Sequence, residues 1–205
     1  MDVTGSALEL TAWRGERVNT QFVIWNKGET KHEAVFMLSD LTDERDNVIS
    51  RENISAGYVE TVVTDKFSDC GKHEVDTYGT YIVADMIDNK TSRVFAASDT
   101  RGVWMCIQIP QEASAGIFKG SVSVESKDGT TQELKYSVEV LDRILPSPDN
   151  WNFHLDFWQN PYAVACVHNV DLWSKAHFDA MRPYMLMLAS AGQMINKAKK
   201  QLNKL

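Results

Sequence analysis

Between Leu8 and Arg143 the apolar residues recur at every second position, a spacing that leaves the chain few choices of fold. Successive side chains of an extended strand point to opposite faces, so such alternation marks strands with one face in a core and the other in water. The clearest run spans residues 131–141, where Leu134, Tyr136, Val138 and Val140 share one face and Lys135, Ser137 and Glu139 the other. Residues 120–126 carry Val122 and Val124 in phase with it, and Asp128-Gly129 between the runs supplies the positive φ of a tight hairpin turn. Similar runs lie at 8–13, 18–25, 34–38, 58–64, 80–87 and 103–109. Eight short strands at this spacing predict a mainly β unit of two packed antiparallel sheets, an Ig-like β-sandwich over residues 1–145.

The pattern stops at Leu145-Pro146-Ser147-Pro148. Two prolines there disfavour helix and strand alike, so residues 146–149 are read as a linker. Residues 151–158 then read as one more strand, with Phe153, Leu155 and Phe157 on one face and His154, Asp156 and Trp158 on the other; Gln159-Asn160-Pro161 ends it. A helix is expected next, from Ser174 as N-cap, through Phe178, Met181, Met185 and Leu188 at helical spacing, to Gly192. Pro183 falls inside this pattern and should kink the helix or mark its effective first turn. A strand, a loop and an amphipathic helix make one βα unit, whereas a closed barrel needs about 250 residues. Residues 150–193 are therefore read as the first strand and helix of an incomplete (β/α) barrel, residues 194–205 as a lysine-rich tail, and the chain as truncated.

Composition excludes several classes. With 43% hydrophobic and 24% charged residues the chain can bury a core and is not generally disordered. Its uncharged stretches are too short and too often broken by polar residues or proline to span a bilayer. Acids outnumber bases 28 to 21, which argues against a nucleic-acid partner. Three cysteines in no C-x-x-C spacing indicate neither a disulfide framework nor a structural zinc site. Residues 1–10 hold no basic segment followed by an apolar one, so no secretion signal is read there. Nucleophile-elbow, Walker, dinucleotide and H-E-x-x-H patterns are missing, and no cofactor is implied.

The run Trp151-Asn152-Phe153-His154-Leu155-Asp156-Phe157-Trp158-Gln159-Asn160-Pro161-Tyr162-Ala163-Val164-Ala165 resembles the opening of the catalytic barrel of glycoside hydrolase family 123. So do Val140 through Pro146 before it and Trp173-Ser174-Lys175-Ala176-His177-Phe178 and Met181-Arg182-Pro183 after it. Thr11 through Asn19 and Pro110 through Gly120 are similar to that family's N-terminal β-sandwich, so the likeness covers about Leu8 to Gln193. It implies a β-N-acetylgalactosaminidase in which the substrate's acetamido oxygen attacks the anomeric carbon. An adjacent Asp-Glu pair assists, the Asp holding the acetamido group and the Glu acting as acid and then base. It further implies a glycan partner with terminal β-linked N-acetylgalactosamine and a secreted or periplasmic bacterial setting. The only Asp-Glu dipeptide here, Asp43-Glu44, sits in a polar stretch of the sandwich and reads as a solvated turn, so no catalytic residue is assigned.

The resemblance makes Trp158, Gln159, Asp156 and His154 candidate substrate-binding residues. The C-terminal end of a barrel strand faces the active-site mouth, and sugars are held by carboxylates and amides for hydroxyls and an aromatic face for C–H groups. Structural duties in a barrel floor are the competing reading. Asp69, Cys70, His73 and Asp76 cluster in one loop, but their spacing matches no closed metal site. His168 and His177 flank the helix start and are read as surface or capping residues; Trp13, Trp25 and Trp104 are read as core. The resulting expectation is the N-terminal fragment of a glycosidase, itself inactive, able to self-associate through its helix face if that face is exposed. A stand-alone glycan- or protein-binding module is the alternative, and a defective reading frame a third.

Overall fold

The computed structural model describes residues 2–4, 8–64, 81–147, 150–151 and 157–190. The chain divides into two compact units, Met1–Leu145 and Pro146–Leu205. The described part of the first unit is all strand and turn apart from one helical turn at Arg51–Asn53. In chain order its strands are β1 (Asp2–Thr4), β2 (Leu8–Arg14), β3 (Arg17–Trp25), β4 (His32–Leu38), β5 (Leu41–Thr42) and β6 (Val48–Ile49), followed by β7 (Ile54–Thr64), β8 (Tyr81–Asp88), β9 (Ser92–Phe95), β10 (Thr100–Gln108), β11 (Gly116–Ser126) and β12 (Thr131–Ile144).

One sheet runs β1-β3-β10-β7-β8 and the other β2-β12-β11-β4-β9, with the short β5–β6 hairpin joined to β11. The expected hairpin is present: β11 and β12 pair antiparallel from Gly116↔Val140 to Glu125↔Thr131, and Gly129 turns the chain at φ +86°. Asp128 contributes its carboxylate rather than a positive φ, accepting the Thr130 amide proton at 2.9 Å. The sheets are not wholly antiparallel, as the alternation had suggested. β2 lies parallel to β12, with Leu8 opposite Tyr136 and Ala12 opposite Val140. Period-two spacing fixes which face a residue takes but carries no strand direction, so this correction was invisible in the sequence.

Both sheets turn their apolar faces onto one core, whose centre is a run of aromatic rings drawn alternately from each. Phe22 (β3) meets Phe36 (β4) at 6.1 Å, Phe36 meets Tyr58 (β7) at 5.4 Å, and Tyr58 meets Phe95 (β9) at 5.9 Å, all edge to face. Such pairs add about 0.5–1.5 kcal/mol each beyond area burial. The Arg93 guanidinium lies over the Tyr58 ring and pairs with Glu60, linking β9 to β7. On β7, Gly57 allows a close approach of β8, since a Cβ there would stand 2.3 Å from the Asp88 carbonyl oxygen.

The three tryptophans expected in the core are not in it. Ala12, Ile24 and Met105, their chain neighbours, are buried, so strand alternation turns Trp13, Trp25 and Trp104 outward. Trp25 is 40% exposed with Lys27 over its ring, Arg143 lies over Trp13, and Trp104 donates its indole N–H to Asn19.

In the second unit the described residues form two helices, α1 (Pro161–His168) and α2 (Lys175–Ser190). Ser174 caps α2 as expected, its hydroxyl accepting the His177 amide proton at 3.2 Å. α2 continues through Pro183, which has no N–H to offer the preceding turn. Of the expected apolar stripe only Met181 is buried; Leu188 is half-buried, and Phe178 and Met185 are exposed. The predicted strand at 151–158 falls largely outside the described residues, as do Gly192 and the lysine-rich tail.

Candidate functional site

The candidate site begins at the segment that leads into α1. Among the four sequence-derived site residues, Trp158 and Gln159 are described, whereas His154 and Asp156 lie outside the described residues. The Trp158 side chain is 100% exposed, and Gln159 donates from Nε2 to the Phe157 carbonyl at 2.8 Å. Asn160 follows as an N-cap, its Oδ1 accepting the Ala163 amide proton at 3.2 Å, with Pro161 at the first helical turn. Asn-Pro thus starts a helix: proline has no amide proton to orphan at that position and its φ is already helical.

α1 ends at Asn169 in the left-handed region, φ 50° and ψ 53°. Four residues later Trp173 is also left-handed, at φ 62°, an uncommon conformation for a bulky side chain. His177 explains how it is held. Its ring is wholly buried, which corrects the surface half of the expectation, while the bond it accepts just before α2 agrees with the capping half. Nδ1 accepts the Trp173 amide proton at 3.0 Å, which places the ring proton on Nε2, and Nε2 donates to the Pro161 carbonyl at 2.9 Å. One imidazole therefore ties the start of α1 to the turn before α2. His168 remains exposed, 3.1 Å from the Tyr184 hydroxyl.

Around this tie sits a half-exposed aromatic cluster. Tyr162 meets Trp173 edge-on at 6.0 Å, and Trp173 meets Phe178 at 6.4 Å. Beside Tyr162 a cavity of about 360 Å³ opens between α1 and the 169–172 turn, with Asn169 and Asp171 in its wall. Sequence reasoning did not single out Tyr162, Asn169 or Asp171. The available signals were the Asn160-Pro161 cap pair and three aromatic residues, Trp158, Tyr162 and Trp173, within one short stretch.

Asp43-Glu44 lies far along the sequence in the β5–β6 turn. Asp43 Oδ1 accepts the amide protons of Arg45 and Asn47 at 2.9 and 2.8 Å, and Oδ2 accepts from the Asn47 side chain at 2.8 Å. The Asn47 side-chain bond is the main influence holding the Asp43 carboxyl below the usual carboxylate range. Its oxygens are thus engaged by its own turn, as a structural residue's are. The Asp69–Asp76 cluster is outside the described residues, and among the described residues no three His, Cys, Asp or Glu side chains converge as metal ligands.

Comparison with known proteins decides the family. The model of the glycoside hydrolase 123 N-terminal domain matches residues 2–126, and that of the glycoside hydrolase 123 catalytic domain matches residues 158–199. The chain belongs to glycoside hydrolase family 123. Among solved structures, a family 123 glycoside hydrolase from Clostridium perfringens superposes with a TM-score of 0.81 at 25% identity, over 91% of this chain and 32% of that one. This family 123 chain therefore spans about a third of that enzyme. The PapD-like domain of human CEP192 matches at a TM-score of 0.43 and 12% identity, over 69% of this chain and 84% of that one. The Pseudomonas aeruginosa CupB2 chaperone matches at 0.39 and 9%, over 68% and 55%. No curated protein matches the chain.

Proposed function

We propose that this chain is the N-terminal part of a glycosidase that removes β-linked N-acetylgalactosamine by a substrate-assisted, retaining mechanism, and that it does not catalyse the reaction alone. In this reading residues 1–145 are an Ig-like β-sandwich, 146–149 a linker, and 150–193 the opening strand and helix of a (β/α) barrel. The observation that carries it is the catalytic-domain match beginning at residue 158, the position of the fully exposed indole. Trp158, Gln159, Asp156 and His154 would then line one edge of the sugar site, the indole stacking on the C–H face of a pyranose and the polar groups meeting its hydroxyls. The Clostridium perfringens relative is described in terms of glycolipid glycan hydrolysis, which supports a glycoconjugate substrate. A secreted or periplasmic location follows from the same family reading.

The chemistry needs an Asp to orient the acetamido group beside a Glu that protonates the leaving oxygen and then activates water. Asp43-Glu44 cannot serve, because the Asp43 carboxylate is engaged by Arg45 and Asn47. The purified chain should release no chromogenic leaving group from a β-N-acetylgalactosaminide above the blank; sustained turnover would overturn the assignment. A second reading, a non-catalytic glycan-binding module, draws on the outward Trp13, Trp25 and Trp104. Sugar-induced changes confined to those three indoles would favour it over the first.

A further inference from the structure

We propose that the cavity between α1 and the 169–172 turn is a second sugar subsite, shaped for a neutral pyranoside and separate from the Trp158–Gln159 edge. It rests on the glycosidase reading above and extends it to a further sugar unit of the same glycan. The cavity is a shallow depression open to solvent, and its volume of about 360 Å³ falls at the low end of the roughly 300–1,000 Å³ of small-ligand sites. Its wall combines the Tyr162 ring, the Asn169 amide and the Asp171 carboxylate, and among the described residues neither polar side chain is engaged by another group. Ala165 and Leu172 supply apolar surface between them. An aromatic face for C–H groups, with an amide and a carboxylate for adjacent hydroxyls, is the set that a neutral sugar ring requires. No lysine or arginine lines the cavity, which excludes a phosphate or carboxylate ligand, and a single carboxylate is too few for a metal ion.

The wall is also held in advance of binding. Asn169 and Trp173, both left-handed, bracket the turn, and a left-handed tryptophan costs on the order of 1 kcal/mol or more. A glycine at 173 would remove that cost. The chain instead keeps an indole, 53% exposed, packed edge-on against Tyr162, a ring of the cavity wall. His177 fixes both the residue before Tyr162 and Trp173 itself. A loose surface turn needs none of this bracing; an aromatic wall that must present one face to a ligand does.

The test is a ¹H–¹⁵N NMR titration of the full chain with methyl β-N-acetylgalactosaminide and methyl β-galactoside, with acyclic galactitol as control. The expected result is saturable perturbation of the 169–173 amides and the Trp173 indole by both pyranosides, at least tenfold weaker in Asp171→Ala and in Tyr162→Ala. Asp171 is exposed in a turn, so that variant keeps the fold even if the Tyr162 change disturbs α1. Perturbation confined to Trp158 and Gln159 would overturn the subsite and leave the glycosidase reading standing. Perturbation nowhere would likewise overturn the subsite, the glycosidase reading being tested separately by the hydrolysis assay, and equal binding of galactitol would overturn the assignment to a pyranose.

Discussion

Replacing His177 by phenylalanine tests how the second unit is held together. The substitution keeps a planar ring of similar size in a fully buried position and removes both hydrogen bonds, the one accepted from Trp173 and the one donated to Pro161. Each bond contributes roughly 1 kcal/mol net, and leaving a partly buried N–H and C=O without partners raises the total to about 2–3 kcal/mol. At about 1.4 kcal/mol per factor of ten, exchange of the Trp173 amide proton should accelerate roughly 30- to 150-fold. Hydrogen exchange read by NMR measures this directly, with the β3–β10 ladder as internal reference. The left-handed geometry of Trp173 depends on that bond, so its near-ultraviolet dichroism should weaken in parallel. Trp173 protection within threefold of the parent chain would refute the reasoning, because the turn would then be held by something other than the imidazole.

Phe36→Ala removes the ring that one sheet sets between Phe22 and Tyr58 of the other, and should lower stability by about 3–5 kcal/mol in chemical unfolding followed by circular dichroism. Tyr136 is 3% exposed and its hydroxyl has no partner among the described residues, so Tyr136→Phe should leave stability unchanged or raise it by about 1 kcal/mol. Burial pushes that phenol up to about 12; the unfolded chain ionises first, near its ordinary value of about 10, so stability should fall as pH rises between the two. Tyr136→Phe should flatten that alkaline slope in pH-dependent unfolding, and an identical slope would remove the assignment. Gly57→Ala forces a methyl group against the Asp88 carbonyl and should cost about 1–3 kcal/mol, read as lost amide protection along β8. If the exposed Phe178 and Met185 drive self-association, light scattering should show oligomers that vanish in Phe178→Ser/Met185→Ser.

The alternation located the longer strands because a residue's face is fixed by its own position in the strand. It missed β1, β5, β6 and β9, which are too short to show a period and owe their pairing to partners supplied elsewhere. Trp13, Trp25 and Trp104 went to the core on residue type, although their neighbours Ala12, Ile24 and Met105 already set the opposite phase. Asn160-Pro161 reads equally as the end of one element and the cap of the next, and the structure shows the cap. Around the candidate site the sequence offers Trp158 and Gln159 as candidates, whereas it gives no sign of the cavity. It depends on two left-handed residues and on one imidazole reaching sixteen positions back to Pro161, and neither leaves a local pattern.

The parallel pairing of β2 with β12 has a consequence during synthesis. Leu8 is made well before its partner Tyr136, which follows only when the first unit is almost complete. Until then the opposing edge does not exist, and the amides and carbonyls of β2 along it stay open to solvent or to a neighbouring nascent chain. The last described strand of the first unit is therefore the clasp, and synonymous codons that slow elongation before residue 145 should lengthen the interval in which a chaperone is needed.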